Sequence, residues 1–180
     1  KGQILSAKDL TIQADTLTMT KQDMVARGDI EIGLTGGGLN NNNGRIVADG
    51  SISIEVAGAV TNKKGQMIAK DSLQIKGADY NVNNVEGTMG AGNLIDISAQ
   101  KVTNTDGVIG SDGDIKINAN QLTGDGKIHG ANNVDITLAT DFSQKDGSEI
   151  RAGNSLNLTT TGRVDNAGNL MGSGEVNLTA

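Results

Sequence analysis

The 180-residue sequence predicts an all-β chain wound into a parallel β-helix, and three observations carry that prediction. An apolar pair spaced by one residue returns nine times, at Leu10/Ile12, Ile30/Ile32, Ile52/Ile54, Leu73/Ile75, Ile95/Ile97, Ile115/Ile117, Val134/Ile136, Leu156/Leu158 and Val176/Leu178. Successive pairs begin 19 to 22 residues apart, so the copies fill the chain. Within each copy the apolar spacing is two, the period of a strand with one buried face. A repeat of about 21 residues marks units that cannot bury a core alone and must stack on their neighbours.

The first strand of each coil is set by an apolar residue six positions before the pair: Ile4, Met24, Ile46, Met67, Met89, Ile109, Ile128, Ile150 and Leu170. Two residues later the side chain is always small, from Ser6 and Ala26 through Ala48, Ala69, Ala91, Ser111, Gly130 and Ala152 to Gly172. Two further on come Lys8, Gly28, Gly50, Asp71, Asn93, Gly113, Asn132, Asn154 and Gly174. These are mostly residues that tolerate a left-handed backbone, so a left-handed corner is expected here. The pair itself forms the second strand. A third apolar position follows at Leu17, Leu39, Val60, Val82, Val102, Leu122, Phe142 and Val164 and defines a third short strand. Asn41, Asn62, Asn84, Asn104 and Asn166 lie two residues past it, with Met19, Gly124 and Gln144 as exceptions. The expected structure is one segment over 1–180, about nine coils of three short strands each.

Other repeat folds fit less well. A leucine-rich repeat places its asparagine a few residues after its Leu-x-Leu pair, whereas Asn104 lies seven after Ile97. A hexapeptide period runs from Ile109 to Ile115 and then meets Gln121. The nonapeptide calcium-binding repeat survives only as the echo Gly110-Ser111-Asp112-Gly113-Asp114.

Composition agrees with a thin aliphatic core. Tyr80 and Phe142 are the only aromatics, there are 26 glycines, and proline and cysteine are absent. Disulfides, CxxC chemistry and thiolate metal sites are thereby excluded. A net charge of -6 without basic runs disfavours nucleic acid as a partner. No apolar run approaches the ~20 residues that span a bilayer, so no membrane insertion by this segment is expected. The chain begins in mid-pattern at Lys1-Gly2-Gln3-Ile4, which reads as a fragment of a longer protein.

The residues Val60-Thr61-Asn62-Lys63-Lys64-Gly65-Gln66-Met67-Ile68-Ala69, followed by Leu73 and Ile75, resemble the first type of filamentous haemagglutinin repeat. The resemblance extends over essentially the whole chain. It implies a right-handed parallel β-helix within a long exoprotein of a Gram-negative bacterium. Such proteins include filamentous haemagglutinin adhesins and contact-dependent growth inhibition toxins. The resemblance further implies export by an outer-membrane two-partner secretion transporter, an extracellular cell-surface location, and a target-cell receptor bound by other regions of the parent.

Reactive chemistry finds little support. His129 follows the inward Ile128 and is expected on the surface, so triads and His-based metal sites lack a basis. Asp112, Asp114 and Asp135 near Lys116 are the acids that a β-helix hydrolase would need, but the aligned position varies freely, reading Thr11, Glu31, Ser53, Gln74, Asp96, Lys116, Asp135, Asn157 and Asn177. Asp106, Asp112 and Asp114 read as solvated turn acids rather than calcium ligands. The expectation is therefore no catalytic residue, no metal and no cofactor. The row Asn41, Asn62, Asn84, Asn104 and Asn166 is expected to form a structural ladder of stacked amides. Tyr80 and the irregular corner at Asn40, Asn42 and Asn43 are the candidates for a binding surface. A structural stalk is the favoured function. An adhesive module recognising a glycan or receptor along one face is the alternative, and a polysaccharide-acting enzyme ranks behind both. Open sheet edges at Lys1 and Ala180 are expected to promote end-to-end self-association.

Overall fold

A computed structural model describes residues 2–180 and contains, among them, strands and turns but no helix. Nine parallel strands form the first sheet, from Gln3–Ser6 through Asp23–Ala26, Arg45–Ala48 and Gln66–Ala69 to Asn169–Gly172. Its register is the one the apolar rows demand: Ile4 lies opposite Met24, Met24 opposite Ile46, Met67 opposite Met89, and Ile150 opposite Leu170. The second sheet stacks the nine apolar pairs in the same way, from Leu10–Ala14 to Glu175–Thr179. A third row is built on Leu17, Leu39, Val60, Val82, Val102 and Leu122. It resumes, separately, with Phe142 opposite Val164. The molecule is a β-solenoid of eight full coils and a ninth that supplies two strands.

The core lies on the axis of this solenoid. Met24, Met67, Met89, Ile95, Ile109 and Ile115 are wholly inaccessible, and Phe142 is buried as well, in the column of the third row. A further inward row follows the pairs. Leu34, Val56, Ala99, Ala119 and Leu138, each two residues after an apolar pair, are also buried. Their positions extend the alternation of the second strand by one more step. In the ninth coil Val176 and Leu178 continue the second-sheet columns of Leu156 and Leu158.

Two expectations need correction. Coils four to six do not hold three separate short strands: Ser72–Asn83, Leu94–Thr103 and Asp114–Thr123 each run through the second and third rows together. The linking residues Ser98-Ala99-Gln100-Lys101 and Asn118-Ala119-Asn120-Gln121 contain no glycine or aspartate to break the extended backbone. In Ser72–Asn83 the extra length is taken up as a bulge between Gly77 and Asn81, which carries Tyr80 outward.

The left-handed corner is also elsewhere. Positive φ occurs at Lys21, Asn43, Lys64, Glu86 and Asp106, two residues beyond the asparagine row. At the corner where it was expected, the glycines serve close approach instead. A Cβ on Gly50 would lie 2.1 Å from Asp29 Oδ1, and one on Gly113 would lie 2.0 Å from the Asn93 carbonyl oxygen. Gly87 and Gly107 are confined in the same manner, with a Cβ meeting the carbonyl oxygens of Asn62 and Asn84 at 2.0 and 2.1 Å.

A left-handed L-residue costs about 1–2 kcal/mol, of which glycine recovers part after its own entropy cost of about 0.5–1 kcal/mol. Asp106, at φ 51, has an exposed side chain. Asp106→Gly is therefore expected to stabilise the fold by about 0.5–1 kcal/mol, read as a higher Tm in thermal unfolding.

Candidate functional site

The asparagine row is the most ordered polar feature of the interior. Asn41, Asn62, Asn84 and Asn104 are buried at the start of the corner that follows the third strand. Asn41 Nδ2 donates to Asn62 Oδ1 at 2.7 Å, Asn62 Nδ2 to Asn84 Oδ1 at 2.8 Å, and Asn84 Nδ2 to Asn104 Oδ1 at 2.9 Å. Each amide also donates to the backbone carbonyl that opens the first-sheet strand two coils on: Gln66, Thr88, Val108 and Lys127, at 3.0, 3.1, 3.0 and 3.0 Å. The ladder thus runs one way along the rod and ties the third row to the first sheet. Met19 occupies the preceding position and offers no amide, so Asn41 Oδ1 has no hydrogen-bond partner.

Asn166 stands apart from this row. It is exposed, its Nδ2 donates to the Gly168 carbonyl at 3.1 Å, and its Oδ1 accepts from the Gly168 amide at 3.2 Å. Its corner is one residue shorter than those of the four ladder members. Asn104 precedes the inward Ile109 by five residues, whereas Asn166 precedes Leu170 by four. The same shortening occurs at Gly124, where φ is +113 and a side chain is not tolerated. Gln144, on a longer corner, reaches the Asn169 carbonyl with Nε2 at 3.3 Å and leaves Oε1 unpaired.

A second set of side-chain bonds was not anticipated from the sequence. Asp9 Oδ1 accepts from the Asp29 amide at 2.9 Å, Asp29 Oδ1 from the Ser51 amide at 2.7 Å, and Asp114 Oδ1 from the Asn133 amide at 3.0 Å. Asp141 Oδ1 accepts from the Arg163 amide at 2.8 Å at another corner. Carboxylates thus link consecutive coils through charge-assisted bonds. The signal for the first three was available: an acidic or amide residue directly precedes the second strand in several copies.

The surface candidates are less assembled. Asn40 Oδ1 accepts from the Asn42 amide at 3.0 Å, Asn42 Oδ1 accepts from the Lys63 amide at 2.9 Å, and Asn43 holds the left-handed turn. The asparagine run is a set of corner-forming residues rather than a free loop. Tyr80 is 38% exposed beside a shallow depression that Glu55, Lys76 and Ser98 also line. A wider polar groove runs alongside through Asn81, Gln100, Lys101, Asn120, Gln121 and Asp141. His129 Nε2 lies 2.6 Å from Glu149 Oε1 on the outer surface of the first sheet, an ion pair when the imidazole is protonated. Lys116 sits in register between Asp96 and Asp135, and Asp135 Oδ1 accepts from Asn157 Nδ2 at 2.7 Å. Among the described residues, no three His, Cys, Asp or Glu side chains are grouped to hold a metal ion, and no helix is long and apolar enough to cross a membrane.

A family profile described as "Haemagglutinin repeat" matches residues 6–79, 78–145, 111–170 and 147–180, which together cover nearly the whole chain. No curated protein and no solved structure matches it.

Asn84 is held on both sides, whereas Asn104 ends the ladder. Asn84→Leu leaves Asn104 Oδ1 buried without its donor and removes an acceptor from Asn62. It is expected to cost about 2–4 kcal/mol, and Asn104→Leu about 1–2 kcal/mol, by chemical denaturation. Equal losses at the two positions would argue against a directional ladder.

Proposed function

The chain belongs to the haemagglutinin-repeat family, and from that premise we propose that it is a rigid stalk segment of a secreted or cell-surface bacterial exoprotein. The observation that carries this reading is the unbroken register of the first and second sheets through nine strands each. At a strand spacing of ~4.8 Å this amounts to a rod about 40 Å long. A rod of this kind sets distance, because bending it would require breaking backbone bonds in several sheets at once.

In the fuller proposal, the parent is a Gram-negative adhesin or contact-dependent growth inhibition toxin whose receptor-binding and effector regions this segment holds away from the cell. Export would proceed through an outer-membrane two-partner secretion transporter. The lack of cysteine and proline supports such a route, since neither disulfide trapping nor slow prolyl isomerisation can interrupt folding on emergence. The pairing pattern supports it as well: every strand bonds only to its counterparts in neighbouring coils, so each coil can add to the last.

The outward Tyr80 next to the polar groove favours a second reading, adhesion to a glycan along this face, because an aromatic ring offers a sugar a stacking surface. The two readings separate in a glycan-array and cell-binding assay of the 180-residue chain. The stalk reading predicts no saturable binding. Saturable binding that disappears in Tyr80→Ala would overturn it in favour of adhesion.

A further inference from the structure

The outward face of the first sheet differs from that of the second. Its central row begins Leu5, Val25, Val47, Ile68, in register over four consecutive coils, and Leu5 is 67% exposed. The corresponding outward row of the second sheet begins Thr11, Glu31, Ser53, Gln74. Strand alternation calls for a polar residue at a solvated position, and it is met on one sheet and not on the other. The internal packing does not use these four side chains, since Met24, Ile46 and Met67 already fill the inward side.

Charges frame the aliphatic row. Asp23 and Arg45 lie on one side of Val25 and Val47, and Arg27 and Asp49 lie on the other. The sign alternates both along the rod and across the strand, giving a two-by-two checkerboard. Asp49 also receives Lys70 Nζ at 2.7 Å. Asp23 and Arg45 are register neighbours of opposite sign within the chain, which fits the charges but does not account for the aliphatic row between them.

We propose that this face docks side by side against the same face of a second copy of this chain. A checkerboard is complementary to itself under a two-fold axis lying in its own plane. With the axis along the rod, Asp23 meets Arg27 of the second copy and Arg45 meets Asp49. With the axis across the rod, Asp23 meets Arg45 and Arg27 meets Asp49. Either way the aliphatic rows meet at the centre, with sheet faces about 10 Å apart. A partner of uniform charge, such as nucleic acid or an anionic membrane, meets the wrong sign at two of the four corners. The row spans about 14 Å from Leu5 to Ile68 at ~4.8 Å per strand. That patch is well below the ~800 Å² per partner of a stable complex, so pairing of the isolated chain is weak and has to be trapped.

The absence of cysteine makes trapping simple. Val25→Cys and Val47→Cys, alone and mixed, are treated with a short bis-maleimide, with Gln74→Cys on the outer face of the second sheet as control. All three positions point outward, and far-UV circular dichroism verifies that each variant keeps its strands. A rod-parallel axis links each valine variant to itself, and the transverse axis links only the mixture. In one of these forms crosslinking is expected about tenfold faster than in the control, through the raised effective concentration of paired thiols. Adding Arg45→Glu is expected to return the rate to that of the control. End-to-end association does not bring coils two and three of separate molecules together, so it cannot produce this result. The proposal is overturned if neither single variant nor their mixture exceeds the control, or if Arg45→Glu leaves the rate unchanged.

Discussion

The backbone hydrogen bond from one coil to its counterpart in the next is the interaction on which the rest of this structure depends. Because the sheets are parallel and in register, each residue sits directly on the residue one coil earlier. The chain is thereby required to solve the same packing problem repeatedly. A methionine at one inner position must be followed by something that fills the same slot, and Met67 is followed by Met89 and then Ile109. A small residue must follow a small residue, as Ala48, Ala69 and Ala91 do. Polar side chains in the interior face the same demand. An amide carries an acceptor and two N–H donors, so it can satisfy an identical neighbour above and below and still bond a backbone carbonyl. That is why asparagine fills the buried row at the third corner, and why methionine at position 19 leaves an acceptor unpaired.

This constraint also determines what was legible in the sequence. Inward rows repeat because they must, so the apolar pairs, the small residues and the four stacked asparagines could all be found by aligning the chain with itself. Backbone conformation is less visible. The left-handed residues Lys21, Lys64 and Glu86 are not of a type that advertises such a turn, since the corner is held by backbone bonds to adjacent coils and not by residue preference. The glycines that did stand out mark places where two coils touch. The merging of strands in coils five and six was hidden for a related reason, because it follows from the absence of glycine and aspartate in the link, whereas in coil four Gly77 and Asp79 are absorbed in a bulge. Surface function was the least legible. Outward positions vary freely, and periodicity says nothing about which of them matter.

Asn166 shows how fine the readable signal is. Residue type assigned it to the ladder, while the count to the next inward residue excluded it. The four ladder members are each five residues from that anchor, and Asn166 is four. Asn166 stays in register with the buried Gln144, and in its shorter corner the amide bonds to its own Gly168. Spacing is therefore the stricter criterion, because a side chain can act in the stack only where the backbone delivers it.

The same criterion explains why the rod tolerates its one interruption. At Gly124 the corner is shortened, the asparagine ladder stops after Asn104, and the third row breaks between Leu122 and Phe142. The first and second sheets continue across this point, with Ile109 opposite Ile128 and Ile115 opposite Val134. Two of the three walls hold the register, and Phe142 occupies the column where the third wall is broken. Length and direction are set by the continuous sheets, so corners are free to lose or gain a residue. A repeat that varies from 19 to 22 residues can still build a straight stack, because the variation is confined to the wall that bears the least of it.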